Sequence, residues 1–240
     1  MKISLVVPAF NEERLLGGTL SYIKSAAVAF LDRGWLVELI VCDNNSTDRT
    51  GEIARAAGAN VVFEPINQIA RARNSGAAAA TGDWLVFVDA DSHPSKELFA
   101  DVADQIVAGR CIAGGSILHM ESDHFTGRQT VRLWNWTSRI FKLLAGSFIF
   151  CETAAFRRIG GFSGKLFAGE ELELSQRLKK FAKANGKKIV ILARHPMLTS
   201  ARKLHLYTAN DHLKLVWRVA WNRKLLTQRE ACHLWYDGRR

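Results

Sequence analysis

Four short apolar runs, "ISLVV" (residues 3–7), "LVELIV" (36–41), "NVVF" (60–63) and "WLVFV" (84–88), are separated by segments of helical pattern. This spacing constrains the fold more than any other feature of the chain. The runs lack a polar alternation, which suits strands buried on both faces of a sheet. Between the first two, Leu16, Leu20, Ile23, Ala27 and Phe30 recur at helical spacing and make one apolar stripe. Ser46 or Thr47 is placed to cap a helix carrying "DRTGEIARAAGA", and Gly58 is placed to end it. The helix "IARARNSGAAAAT" leads into the fourth run. A β-α-β-α-β-α-β order predicts an α/β fold with a parallel sheet, right-handed crossovers and helices on both faces. Ligands of such sheets gather at the carboxyl ends of the strands. "PAFNEE", "DNNSTD" and "DADS", which follow the first, second and fourth runs, therefore converge on one cleft.

The second half reads as a strand "CIAGGSILH", a helix "VRLWNWTSRIFKLL", a strand "SFIFC", a turn "GGF", a helix "EELELSQRLKKFAKA" and a strand "KIVIL". From about Tyr207 the pattern is helical and rich in Trp and Arg. No repeat, linker or low-complexity stretch divides the 240 residues, 48% of which are apolar, enough for a substantial core. The expected organisation is one domain over 1–205, with a nucleotide half (1–95) and an acceptor half (96–205), followed by a basic aromatic tail (206–240).

Cys42, Cys111, Cys151 and Cys232 form no CxxC pair, so buried thiols in a reducing compartment are expected. No signal peptide is recognised before Pro8, and no run of about eighteen apolar residues is long enough to span a bilayer. A cytoplasmic protein is expected, in contact with the membrane's inner face at most. The net charge is +10, and residues 201–240 carry nine Lys or Arg against three acidic residues. Such a tail suits a phosphorylated ligand or an anionic surface, although many basic tails are solvated surface.

If the strand "WLVFV" keeps its extended form to the end of "VDADS", Asp89 and Asp91 point to the same side and Ala90 to the other. Two carboxylates held so close need a cation, a proton or open water. From these residues alone, open water at a strand end competes with a metal site.

Taken in order, "VPAFNEE", "CDNNSTDRT", "ARNSG...TGDWLVFVDADS", "GGF" and "GEELELSQRL" resemble the family-2 glycosyltransferases, enzymes of the GT-A fold. The resemblance covers about residues 3–180. It implies a mostly parallel Rossmann-like sheet and an inverting transfer of sugar from a nucleotide-diphosphate donor, UDP- or GDP-linked, to an acceptor hydroxyl. Pro8, Ala9, Phe10, Glu12 and Asp43 would form the base and ribose pocket. Arg73, with Arg71 as the alternative, would fork onto the diphosphate. Asp91 would hold Mn2+ or Mg2+, with Asp89 on ribose or a metal-bound water, Ala90 between them against the nucleotide, and His195 as a third ligand ahead of His119, His205 and His212.

The same resemblance makes Glu171 the base, with Glu170 beside it, where the family usually has Asp at the second acidic position. Acidic residues in a first helical turn also suit the helix dipole without any catalytic role. Gly160, Gly161 and Phe162 would face the acceptor, a sugar or a lipid-linked sugar. Trp134, Trp136 and Trp217 suit sugar stacking, a lipid interface or, as aromatics at helical spacing more often do, core packing. The tail would lie on an anionic membrane. Competing readings are a sugar-phosphate nucleotidyltransferase, a nucleotide-sugar binder without turnover, and a nucleic-acid binder. The last is disfavoured because acidic strand ends repel phosphate and no nucleic-acid motif is present.

Overall fold

The computed structural model describes residues 1–120, 125–200 and 223–232. The first half follows the predicted alternation: β1 (Lys2–Ala9), α1 (Leu16–Leu31), β2 (Leu36–Asp43), α2 (Thr50–Ala56), β3 (Asn60–Phe63), α3 (Ile69–Ala79) and β4 (Trp84–Val88). Then come β5 (Ser92–His93), α4 (Lys96–Ala108), β6 (Cys111–Met120), α5 (Phe125–Phe141), β7 (Phe148–Glu152), α6 (Thr153–Arg158), α7 (Glu170–Ala184) and β8 (Lys188–Thr199). Two short 3-10 turns, Arg223–Thr227 and Glu230–Cys232, lie in the tail. The rest of the tail, including Trp217, His205 and His212, falls outside the described residues.

The strands form one eight-stranded sheet in the order β3-β2-β1-β4-β7-β6-β8-β5. From β3 to β4 every pairing is parallel, whereas β7 enters antiparallel to both β4 and β6. Side chains alternate through this sheet and divide the core into two layers. Ile3, Leu5 and Val7 of β1 join Val86 and Val88 of β4 beneath α1 and α4. Val6, Leu85 and Phe87 face the opposite layer with Leu174 and Leu178 of α7.

Several boundaries differ from expectation. α2 begins at Thr50, and its first turn is held by Asp48, whose Oδ1 accepts from the Thr50 amide at 3.0 Å; Ser46 and Thr47 contact the loop after β1 instead. The β4 strand ends at Val88, and the Ser92 amide donates to the Asp89 carbonyl at 3.1 Å. Asp89 and Asp91 thus sit in a turn, so their orientation does not follow from strand alternation. α4, β5 and α6 stand where the sequence pattern predicts no element. β8 continues beyond "KIVIL", with a register shift between its pairings Ser116↔Leu192 and Leu118↔Met197. All four cysteines are buried and free. Among the described residues no helix is long and apolar enough to cross a membrane.

Gly114 lies where β6 is squeezed between β7 and β8. A Cβ there would meet Phe150 Cζ at 2.4 Å and the Val190 carbonyl at 2.7 Å. Gly114→Ala is therefore expected to overpack the sheet and cost about 2 kcal/mol. Urea unfolding checks this, and an unchanged midpoint would contradict the placement.

Candidate active site

The cleft lies at the carboxyl ends of β1, β2 and β4, and its first wall is two loops stitched together. After β1, Asn11 adopts φ 53°, a left-handed conformation that Asn tolerates. Its Oδ1 accepts from the Thr47 amide at 2.8 Å, while its own amide donates to Ser46 Oγ at 3.0 Å. The Glu12 amide donates to Thr50 Oγ1 at 2.8 Å, and the Glu13 amide to Asp48 Oδ2 at 3.1 Å. Pro8 and Ala9 are buried at the end of β1, and Glu12 is 7% exposed. Asp43 Oδ1 accepts from the Ser46 amide at 3.0 Å, which orients the carboxylate and holds the turn.

Asn44 extends this wall toward α3. Its Nδ2 donates to the Ile66 carbonyl at 2.7 Å, and its Oδ1 accepts from the Gln68 amide at 2.9 Å. Glu64 accepts from Ser75 Oγ at 2.6 Å, the Ile66 amide at 3.0 Å and Arg71 Nε at 3.2 Å. Burial works to raise this carboxyl, but those hydrogen bonds and the Arg71 charge outweigh burial and hold it below its ordinary range. Arg71 is itself exposed. Asn44 and Glu64 were not singled out from the sequence, although Asn44 stands inside "DNNSTD".

The second wall is organised by Arg73, which is 1% exposed. Its Nη1 donates to Glu170 Oε1 at 2.6 Å, and its Nη2 donates to Asp89 Oδ1 at 2.9 Å and to the Gly146 carbonyl at 3.1 Å. The guanidinium lies 5.2 Å from the centroid of the Phe162 ring. This corrects the expectation of a diphosphate fork. The cation is enclosed, and both terminal nitrogens are engaged by protein.

Phe162 is corrected with it. The ring is 2% exposed, packed edge-on against Phe87 and against Phe156 as well as beneath Arg73. Asn74 clamps it from both sides: Nδ2 donates to the Phe162 carbonyl at 2.8 Å, and Oδ1 accepts from the Phe162 amide at 2.9 Å. Gly161, at φ 65°, is the close approach this clamp requires, because a Cβ would stand 2.6 Å from Asn74 Oδ1. Gly160, at φ 82°, is exposed. The "GGF" turn thus secures the arginine from below.

Glu170 and Glu171 open α7 behind Gly169. Glu170 is 3% exposed and its charge is matched by Arg73. Glu171 is half-buried, and burial, followed by the negative charge of Glu170, pushes its carboxyl up to about 8 against the pull of Arg73. Ser175 ties this turn to the loop after α5, donating to the Glu171 carbonyl at 2.7 Å and accepting from the Leu144 amide at 2.9 Å.

Asp91 is half-buried, and its carbonyl accepts from the Ser200 amide at 3.1 Å. The Ala90 carbonyl accepts from Thr19 Oγ1 at 2.8 Å, which fastens the Asp89–Asp91 turn to α1. Two carboxylates in one turn, one with an oxygen committed to Arg73, fit a hard divalent cation that takes its remaining oxygens from water and phosphate. Among the described residues no group of three His, Cys, Asp or Glu comes together as a metal cage. His195 does not join this turn. It lies in the irregular stretch of β8, where its Nδ1 is 2.9 Å from Asp101 Oδ2 of α4. His119 and His93 instead flank Leu198 across the last strands.

Comparison with known proteins agrees with this architecture. The model of "Glycosyl transferase family 2" matches residues 4–162. Glucosyl-3-phosphoglycerate synthase of Mycolicibacterium smegmatis is 38% identical over 97 residues, 37% of this chain and 30% of that protein. The structure of S. aureus TarS with UDP-GlcNAc superposes with TM-score 0.67 at 22% identity, covering 98% of this chain and 69% of TarS. A mannosyltransferase of Pyrobaculum calidifontis with GDP-Man and Mn2+ gives TM-score 0.67 at 18% identity, covering 97% and 69%. These two likenesses establish a shared GT-A fold. The chain spans about a quarter to a third of the length of three curated relatives it matches (24%, 30% and 33%).

Two stability measurements test the second wall. Arg73→Met leaves Asp89 and Glu170 without their buried counter-charge and is expected to cost about 3–5 kcal/mol in urea unfolding. The Glu171 proton is bound more tightly in the folded chain than in the unfolded one, so between pH 4.5 and about 8 this group makes stability fall as pH rises. Glu171→Gln should flatten that part of the stability profile, and an unchanged slope would place the raised group elsewhere.

Proposed function

This chain belongs to glycosyl transferase family 2, and we propose that it is a glycosyltransferase that takes a nucleotide-sugar donor and transfers the sugar with inversion, with Glu171 as base. One observation carries the assignment. Of the three carboxylates around Arg73, Asp89 and Glu170 are hydrogen-bonded to the guanidinium, whereas the Glu171 carboxyl is half-buried and pushed up to about 8. A carboxylate of that basicity is matched to a hydroxyl proton near neutral pH.

In this reading the acceptor oxygen attacks the anomeric carbon from the face opposite the leaving group, and its proton passes to the Glu171 carboxylate. The bond from that carbon to the β-phosphate oxygen breaks, and its electron pair leaves with the nucleoside diphosphate. Pro8, Ala9, Phe10, Glu12 and Asp43 hold the base and ribose against the stitched loops. Arg71, exposed beside Glu64, is the arginine of the pair left for the donor. Asp91, with Asp89, would hold Mn2+ or Mg2+, which offsets charge developing on the leaving diphosphate. His195 has no part in that ligand set. Gly160 remains for the acceptor side through its exposed backbone.

The acceptor is proposed to be a sugar or lipid-linked hydroxyl. The basic tail would bring the protein to the membrane's inner face; most of it lies outside the described residues.

Titration with UDP-, GDP- and dTDP-sugars, with and without Mn2+, tests donor choice and metal together; no metal-dependent binding of any donor would defeat the metal assignment. Glu171→Gln should keep donor binding and lose transfer by about 10^2 to 10^4. Rates under kcat/KM conditions should rise with pH until about 8 as Glu171 loses its proton. Full activity in the glutamine variant would move the base to another group.

A further inference from the structure

α5 carries an exposed face that the transfer site does not use. Leu133, Trp136 and Ile140 are 64%, 61% and 52% exposed, and at spacings of three and four they form one stripe along the helix. The opposite side, through Asn135 and Ser138, is turned into the protein: Asn135 exchanges two hydrogen bonds of 2.8 Å with the backbone of Leu118, and Ser138 is 1% exposed. Arg128, Arg132 and Arg139, all exposed, lie within about 40° of one another around the helix and directly beside the apolar stripe. Residues 125–142 contain four basic residues and no acidic one.

We infer that this face of α5 docks on an anionic lipid bilayer, with Leu133, Trp136 and Ile140 entering the headgroup boundary and the three arginines reaching lipid phosphates. The one-sided arginine flank beside the stripe is complementary to a negative surface. Leu, Trp and Arg in this arrangement are the composition of a helix lying in a membrane interface. The loop that follows α5 also supplies the Gly146 carbonyl to Arg73 and the Ser147 carbonyl to the Asp89 amide. Docking through α5 would therefore set the wall of the cleft at the lipid surface. The inference is independent of Glu171 and of the tail.

The test uses the full chain without donor, sedimented with vesicles of phosphatidylglycerol and phosphatidylcholine or of phosphatidylcholine alone. Binding to the anionic vesicles, weakened by salt, is expected. The combined variant Leu133→Glu, Trp136→Glu and Ile140→Glu should lose roughly tenfold or more of that binding, while urea unfolding verifies that it still folds. Brominated acyl chains should quench a tryptophan signal that is absent in Trp136→Phe. Undiminished binding by the triple variant, or no binding to either vesicle, overturns the inference. So does a concentration-dependent dimer abolished by the triple variant, which would make this face a contact between copies. Because neither donor nor transfer enters the measurement, its failure and that of the Glu171 assignment are separable.

Discussion

The enclosed cation of Arg73 is the interaction on which the two halves of the site depend. A guanidinium at 1% exposure carries a large desolvation cost unless its charge and donors are met. The charge and both terminal nitrogens are met by residues far apart in the sequence, Asp89 at the end of β4, Glu170 at the start of α7 and the Gly146 carbonyl after α5, while Nε stays buried without a hydrogen-bond partner among the described residues. None of these elements can shift without uncovering a buried charge. The glycine follows from the same contact, since a Cβ at position 146 would sit 2.7 Å from Nη2.

This arrangement also distributes charge unequally among neighbouring carboxylates. One cation is hydrogen-bonded to two of them, and the third, Glu171, feels Arg73 only through space while burial and Glu170 oppose its ionisation. A raised carboxyl beside a neutralised one is a direct consequence of placing three acids around one arginine. The family's usual Asp at this position is one methylene shorter. The longer Glu171 side chain reaches farther from a helix start that Ser175 ties to Leu144.

Much of the frame was legible because local signals and tertiary demands coincide. The four apolar runs became β1 to β4, and "EELELSQRLKKFAKA" is α7 from its first residue to its last. α4 was equally readable in retrospect: Ser95 accepts from the Leu98 amide at 3.1 Å, and Gly109 ends the helix at φ 66°. The side chains whose roles depend on burial were harder to read. "ARN" identifies Arg73 as important but does not reveal whether its guanidinium faces a ligand or two carboxylates of its own chain. "GGF" likewise looks like a ligand-facing turn until Asn74 and Arg73 are found packed on it. His195 beside a proline carries no sequence sign of Asp101, which lies 94 residues away.

The two walls of the cleft differ in how they are built, and that difference bears on specificity. The first wall is closed by hydrogen bonds among short polar side chains and backbone amides in the loops after β1, β2 and β3, so its shape is set by those loops. The opposite wall hangs from Arg73 and from the stretch between α5 and β7, and α5 itself is fastened to the sheet on one side by the hydrogen bonds of Asn135 to Leu118 of β6. Changes on the outer face of α5 can therefore alter what this wall meets without disturbing the ion pairs beneath it. A wall closed by its own hydrogen bonds beside a wall carried on a one-sided helix lets the outer face of the cleft vary while the buried ion pairs stay as they are.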